Sequence, residues 1–245
     1  MPATTTPQRT RYTPPSNTFE RPITELLVGD RMVTDPAKLA RLMWRFNGVP
    51  SKTIYLAGNL ELLSRPIIAI VGARQASDAG LKRAGKLARQ MADSGIVVMS
   101  GLAAGVDRAA MTRAIDQGGH VIGVIGTPLD RAYPKDNARL QEEVYNNHLL
   151  ISPFPVGHRP GRKAFPHRNK IMAALSDGTC VIEASDSSGT LHQSAECTRL
   201  NRWLFILRSL VENPDLKWPK DFLVYERAVT VSSHEDILDR LRTSL

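Results

Sequence analysis

Between residues 67 and 207, short runs of β-branched and aliphatic residues alternate with longer segments of helical periodicity. This alternation is typical of parallel βαβ units, in which helices cover both faces of a sheet. Strands are predicted at 67–73, 96–100, 121–126, 148–152, 179–184 and 203–207. Helices are predicted at 78–93, 105–117, 136–146, 168–175 and 189–200. We therefore expect an α/β fold with a doubly wound, mostly parallel sheet.

The flanking segments predict a main domain with small additions. Residues 1–20 are rich in Thr, Pro and Arg, which is typical of a mobile basic tail. An amphipathic pattern after Thr34 predicts a helix, and the apolar segment 53–58 leads into the main domain. We expect a small N-terminal helical appendage at 21–60 and a main domain at 61–245. The C-terminal extension of that domain has a strand candidate at 222–232 and a closing helix at 234–243.

The composition is that of a globular protein, with 42% apolar and 23% charged residues. The longest apolar runs are far shorter than the roughly 20 residues that cross a bilayer, so we expect no membrane partner. The first residues lack the apolar core of a secretory signal, and we expect a cytoplasmic location. Cys180 and Cys197 have neither metal-ligand spacing nor a disulfide framework, so we expect two reduced core thiols and no metal.

The chain has a formal net charge of +8 and a pI near 9.8, which favours polyanionic partners such as nucleic acid. The strongest local concentration is at 158–170, where five Arg or Lys and two His lie within 13 residues. Phe154 and Phe165 accompany these cations. Cations bind phosphates, and unpaired bases stack on aromatic or guanidinium planes, so the pattern favours single-stranded nucleic acid over a merely solvated basic loop.

Ligands of parallel sheets bind beyond the carboxyl ends of the strands. Small-residue loops follow three of the predicted strands: VGAR at 71–74, SGLAAGVD at 100–107 and SSGT at 187–190. Their backbone N–H groups can form an anion cradle, although each loop taken alone is more often only a tight strand-to-helix turn. None of them matches a dinucleotide-binding or P-loop pattern, so we expect no nucleotide cofactor.

Read together, the ordered motifs resemble the DprA/Smf DNA-processing family. They are VGAR, SGLAAGVD, GTPLDRAYPKDN at 126–137, SPFP at 152–155, FPHRNKIMAALS at 165–176, VIEA at 181–184 and SSGT. The resemblance covers about 140 residues, roughly 67–207. It implies an extended Rossmann-like domain that binds single-stranded DNA, has a RecA-type recombinase as a partner, and forms a homodimer.

The resemblance also implies roles for individual residues. The DNA contacts it implies are Arg74, Lys163, Phe165, Arg168, Asn169 and Lys170. The phosphate-facing backbone it implies comes from Gly72, Ala73, Ser100, Gly101, Gly189 and Thr190. It implies no catalytic residue and no cofactor.

The alternative is a nucleotide-binding sensor or a phosphoribohydrolase of the same superfamily. Glycosidic cleavage requires a carboxylate beside the sugar. Glu183 is the obvious candidate, and the sequence leaves open whether it faces a ligand or holds a loop.

Overall fold

The computed structural model describes residues 12–32, 34–46 and 53–242. The strands are β1 (Phe19–Pro22), β2 (Thr53–Gly58), β3 (Ile67–Val71), β4 (Val97–Ser100), β5 (Val121–Val124), β6 (Leu149–Ser152), β7 (Gly178–Val181), β8 (Trp203–Leu207) and β9 (Ala228–Val231). The α-helices are α1 (Pro36–Arg45), α2 (Asp78–Asp93), α3 (Val106–Asp116), α4 (Ala138–Asn147), α5 (Ala164–Leu175), α6 (Thr190–Arg199), α7 (Arg208–Val211), α8 (Trp218–Phe222) and α9 (His234–Arg242). Single 3-10 turns lie at Ile23–Leu26, Gly29–Arg31, Leu60–Ser64 and Lys135–Asn137.

The strands form one sheet in the order β1-β2-β6-β5-β4-β3-β7-β8-β9. The pairs β1–β2 and β2–β6 are antiparallel, and the remaining pairs are parallel. From β3, the chain first builds outward through β4, β5 and β6, and then crosses to β7 on the opposite side. The strand order therefore reverses between β3 and β7. This confirms the predicted doubly wound α/β class and locates the position where such sheets bind ligands.

All five residues of β3 are buried, because helices cover both faces of the sheet. Ile67 and Ala69 belong to one apolar cluster and Ile68 and Ile70 to another, as the alternating side chains of a strand require. Cys180 and Cys197 are buried free thiols. Within the described part of the chain, none of the helices combines the length and apolar composition that a bilayer crossing needs.

The N-terminal segment differs from the expectation. Residues 1–11 lie outside the described residues, but Tyr12 and Thr13 of the expected mobile tail contact the main domain. The Tyr12 hydroxyl donates to the Leu129 carbonyl at 2.7 Å and accepts from the Gln141 amide at 2.8 Å. The segment 21–60 is more than a helical appendage, because β1 and β2 extend the same sheet across the expected boundary at residue 60.

Other boundaries also shift. The helix predicted at 168–175 begins at Ala164, because Pro166 falls in its first turn, where a missing N–H leaves no bond unmade. Several predicted strands are one to three residues too long, since their apolar runs continue into loops. The strand candidate at 222–232 is wrong over its first half: Phe222 ends α8, and only Ala228–Val231 is strand.

Candidate nucleic-acid interface

A small cleft opens beyond the carboxyl ends of β3 and β7, at the reversal of strand order. Its walls come from the loop after β3, the start of α3, the first half of α5 and the loop that begins α6. The cavity measures about 220 Å³. It is lined by Val71, Gly72, Ala73, Arg74, Ala103, Asp107, Phe165, Arg168, Asn169, Met172, Ser188, Gly189, Thr190 and Gln193. The structure thus brings together most of the predicted site residues.

At the rim of the cleft a cation lies over one aromatic ring, and a second ring lies tilted beside the first. The Arg74 side chain is exposed, and its Cζ atom lies 4.9 Å from the centroid of the half-buried Phe165 ring. Tyr133, which is 49% exposed, lies with its ring centroid 5.6 Å from that of Phe165. A guanidinium and two rings at one rim offer both a phosphate contact and a stacking platform.

Glycine at position 126 sets the position of the Phe165 ring. A Cβ atom there would lie 2.9 Å from Phe165 Cδ1, so only glycine admits the ring at this place. Lys163 is exposed immediately before α5, and Asn169 and Lys170 are half-buried on that helix. Burial lowers the pKa of the nearby His167, and the charges of Lys170 and Lys163 lower it further.

Arg168 was predicted to contact DNA, but its side chain is buried in the structure. Its side chain is 7% exposed; Nη1 donates to the Val124 carbonyl at 3.1 Å and lies 4.0 Å from the Asp107 carboxylate. Burial raises the pKa of Asp107, and Arg168 counteracts that shift. Arg168 therefore supports the inner wall of the cleft, where it lies under Phe165 with Cζ 6.0 Å from the ring centroid. A Cβ atom at Gly101 would overlap the Arg168 guanidinium.

Two of the predicted phosphate-facing backbone donors are already engaged, and so is the side chain of a third predicted residue. The Gly101 N–H donates to Asp107 at 3.1 Å, and the Ala73 N–H donates to the Glu183 carbonyl at 2.8 Å. The Ser100 hydroxyl is buried and donates to the Ile70 carbonyl at 2.7 Å. These groups build the loops and are not available to a phosphate, because each donor is used inside the fold. Only Ala73 of these three residues also lines the cleft.

Gly72 and Gly189 remain as the phosphate-facing positions that fit the structure, whereas the Thr190 N–H donates to the Ser188 hydroxyl at 3.2 Å. A Cβ atom at Gly72 would meet the Val106 side chain at 2.7 Å, so glycine lets the loop pack directly on α3. Gly189 is exposed immediately before α6, and the N–H groups of Leu191 and His192 in the first turn donate to the Ser188 and Gly189 carbonyls at 3.1 and 3.2 Å.

Glu183 holds a loop. Its Oε1 accepts from the Ser77 N–H at 2.9 Å, and its Oε2 accepts from the Ser77 hydroxyl at 2.6 Å. Ser77 in turn caps α2 by accepting from the Gly80 N–H at 3.0 Å. Both carboxylate oxygens are therefore occupied at the start of α2. Among the residues that the structure describes, no three His, Cys, Asp or Glu side chains come together as metal ligands would.

Comparison with known proteins identifies the family of this fold and cleft. A family model described as DNA recombination-mediator protein A matches residues 36–242. The chain belongs to this family, known as DprA/Smf. Within DprA/Smf, the chain is 38% identical over 185 residues to the DNA processing protein DprA of Streptococcus pneumoniae, covering 76% of this chain and 65% of that protein.

Solved structures of DprA agree with this assignment. The X-ray structure of DprA from Streptococcus pneumoniae has a TM-score of 0.69 and 36% identity, with 78% of this chain and 68% of that chain covered. A Helicobacter pylori DprA structure, described for its single-stranded DNA binding mode, has a TM-score of 0.70 and 27% identity, with coverage of 79% and 88%. This DprA/Smf chain spans 65% of the length of the Streptococcus pneumoniae DprA and 47% of the length of Protein Smf of Synechocystis.

Sequence reasoning missed three residues of the DprA/Smf cleft. Tyr133 joins the rim, Asp107 anchors the loop after β4, and the buried Asn137 amide donates to the Leu102 and Ala103 carbonyls at 2.9 and 3.1 Å. Phe154, in contrast, was predicted to accompany DNA-facing cations but is 2% exposed and stacks on His158. An exposed aromatic beside a Pro in a strand-end loop was the available signal for Tyr133.

Proposed function

We propose that this DprA/Smf chain binds single-stranded DNA in the cleft between β3 and α5. Arg74, Lys163 and Lys170 contact phosphates, Phe165 stacks a base, and Asn169 hydrogen-bonds the strand within the cleft. The backbone at Gly72 and Gly189 takes a further phosphate. The observation that carries the proposal is the exposed Arg74 guanidinium, 4.9 Å from the Phe165 centroid, because a phosphate and a base can be bound at one point.

The proposal includes a cellular role. The chain acts in the cytoplasm, where it delivers the bound strand to a RecA-type recombinase during recombination or transformation, and it works as a homodimer. The family description, DNA recombination-mediator protein A, supports a role in recombination, and the binding mode described for the Helicobacter pylori DprA structure supports single-stranded DNA as the ligand.

The test is a fluorescence anisotropy titration of a labelled oligothymidine at several salt concentrations, beside the matching duplex. We expect salt-dependent preference for the single strand. Arg74→Ala should weaken binding and reduce the slope of log affinity against log salt by about 0.7, the value for one lost single-strand phosphate contact. Arg21→Ala is the matched control, since Arg21 is exposed on β1, at the far edge of the sheet.

Two outcomes would overturn the proposal. The protein could fail to bind DNA at low salt, or Arg74→Ala and Arg21→Ala could lose equal affinity for single-stranded DNA. A nucleoside monophosphate that raised the melting temperature without any DNA binding would favour the sensor alternative instead. The phosphoribohydrolase alternative loses its obvious carboxylate, because both oxygens of Glu183 are bonded to Ser77.

A further inference from the structure

A second basic surface lies outside the cleft, in the groove between α2 and α3. The groove is lined by Leu81, Lys82, Gly85, Lys86, Arg89, Gly105, Arg108, Ala109, Thr112, Arg113 and Asp116. It is open and large, at about 810 Å³, compared with about 220 Å³ for the cleft. The cleft and the groove share no lining residue.

The charge of this groove is concentrated and of one sign. Five cationic side chains and one carboxylate line it, which gives a formal charge of +4 in a chain whose total is +8. Lys82, Lys86 and Arg89 follow the spacing i, i+4, i+7, so they project from one face of α2. Asp116, the only carboxylate of the lining, is already paired with Arg113 at 3.5 Å. The surface therefore favours a polyanion over a mixed-charge partner.

Small residues shape the groove between the two helices. At Gly85 a Cβ atom would lie 2.9 Å from Arg113 Cγ, so the aliphatic stem of Arg113 lies directly on the α2 backbone. Ala109, on α3, is a second small residue in the lining of the groove. The cationic side chains then stand at the rims. Its described lining contains no aromatic side chain, so the groove can bind a sugar–phosphate backbone but offers no platform for bases.

The groove starts at the rim of the cleft. Helices α2 and α3 follow parallel neighbouring strands, so both begin at the carboxyl edge of the sheet where Arg74 lies. The Val106 N–H donates to the Ala73 carbonyl at 3.2 Å, and a Cβ atom at Gly105 would clash with the Arg74 backbone. From this junction, the 11 residues of α3 extend the groove by about 16 Å along the helix. A DNA strand that is bound at Arg74 and continues past it thus meets the groove directly.

We propose that the α2–α3 groove binds the phosphate backbone of the DNA segment that flanks the segment in the cleft. This inference rests on the proposed function and deepens it, because it assigns a second, sequence-independent contact to the same single strand. The cleft determines whether a strand is bound, and the groove determines how much affinity each additional nucleotide adds.

The experiment compares two oligothymidines, one of about 6 nucleotides, near the lower end of the roughly 4–16 nucleotides that single-strand-binding folds cover, and one of about 25 nucleotides, well beyond that range. The variant is Lys86→Glu/Arg89→Glu, at two exposed positions outside the cleft. We expect its dissociation constant for the long strand to rise about 10-fold, with a shallower salt slope, because two phosphate contacts are lost. Binding of the short strand should change less than about twofold, since that strand fills only the cleft.

The matched control is Arg21→Glu/Lys220→Glu, which makes the same charge change at exposed positions on β1 and α8. Three results would overturn the groove assignment. The two double variants could lose equal affinity for DNA, the groove variant could lose equal affinity for the short and the long strand, or its affinity for the long strand could be unchanged. Arg74→Ala separates the two proposals. It should reduce binding of both strands, and if the wild-type protein bound neither strand, the proposed function would fail together with the groove.

Discussion

Arg168 and Asp107 lie 4.0 Å apart beside the cleft, and 7% and 8% of their side chains are exposed. The pair joins α5 to the start of α3, and the remaining Asp107 bonds hold the loop after β4. We therefore expect Arg168 to affect DNA binding through the shape of the cleft, and its exposed neighbour Lys163 to affect it by direct contact.

Arg168→Ala should lower the free energy of unfolding by about 3–5 kcal/mol, because it leaves the Asp107 carboxylate buried without its cation. The measurement is urea denaturation at neutral pH, followed by circular dichroism. Lys163→Ala is the control: it should leave stability within about 0.5 kcal/mol and weaken DNA binding. If Arg168→Ala kept full stability and lost DNA affinity, Arg168 would be a direct DNA contact after all.

Phe165→Ala should weaken binding of oligothymidine by about 1–3 kcal/mol, the loss expected for one base stacked on an aromatic ring. Tyr133→Ala should produce a smaller loss of the same kind, because its ring supports Phe165 at the rim. Tyr225 provides the matched control, since it is 51% exposed and Tyr133 is 49% exposed. Fluorescence anisotropy measures all three variants. A loss in Tyr225→Ala as large as that in Tyr133→Ala would remove the case for a rim platform.

Glu183→Gln should reduce stability by about 1–3 kcal/mol, because the amide places a donor against the Ser77 N–H or hydroxyl. Thermal or urea denaturation measures the change. Ser77→Ala should show part of the same loss, and the double variant should be less than additive, since the two side chains share their bonds. Strict additivity would contradict the loop-holding role of Glu183.

Stability should fall as the pH drops below about 6.5. Burial lowers the pKa of His148 from its ordinary value of 6.5, and His120 lowers it further. The unfolded chain then binds the proton more tightly than the folded one. The stabilisation is therefore complete above about 6.5 and is lost as the pH falls towards the folded pKa, by at most about 1.4 kcal/mol per pH unit for one proton.

His148→Leu should flatten this dependence, because leucine carries no titrating group. Urea denaturation between about pH 7.5 and 5.5 measures the slope in both proteins. His167, whose pKa is also lowered, keeps a share of the dependence in the variant. An unchanged slope in His148→Leu would mean that His148 does not contribute.

The sequence predicts where the cleft loops lie. It does not indicate whether their polar groups are already hydrogen-bonded within the fold. VGAR and SSGT were placed at strand ends by hydrophobic periodicity alone, and both line the cleft. Gly101 and Ser100 lie at a strand end too, but their donors are used by Asp107 and Ile70. No local pattern indicates that a donor is satisfied, because its acceptor comes from another part of the fold.

Arg168 shows that the sequence also does not indicate whether a charged side chain is buried. Its place in a run of cations predicted exposure, since isolated charges stay in water. Asp107, 61 positions earlier in the chain, makes its burial possible, and Gly101 leaves the space for its guanidinium. Likewise, Tyr133 becomes part of the rim only because the loop after β5 brings it to α5.

The sequence by itself determined the α/β class, the parallel core, the carboxyl-edge location of the candidate site and the family. These follow from periodicity and from short ordered motifs, which are local properties of the chain. The tertiary structure alone decided which cations stay in water, which N–H groups remain for a phosphate, and that the α2–α3 groove continues from the cleft. Burial and hydrogen-bond satisfaction depend on neighbours distant in the chain, so they exist only once the sheet has formed.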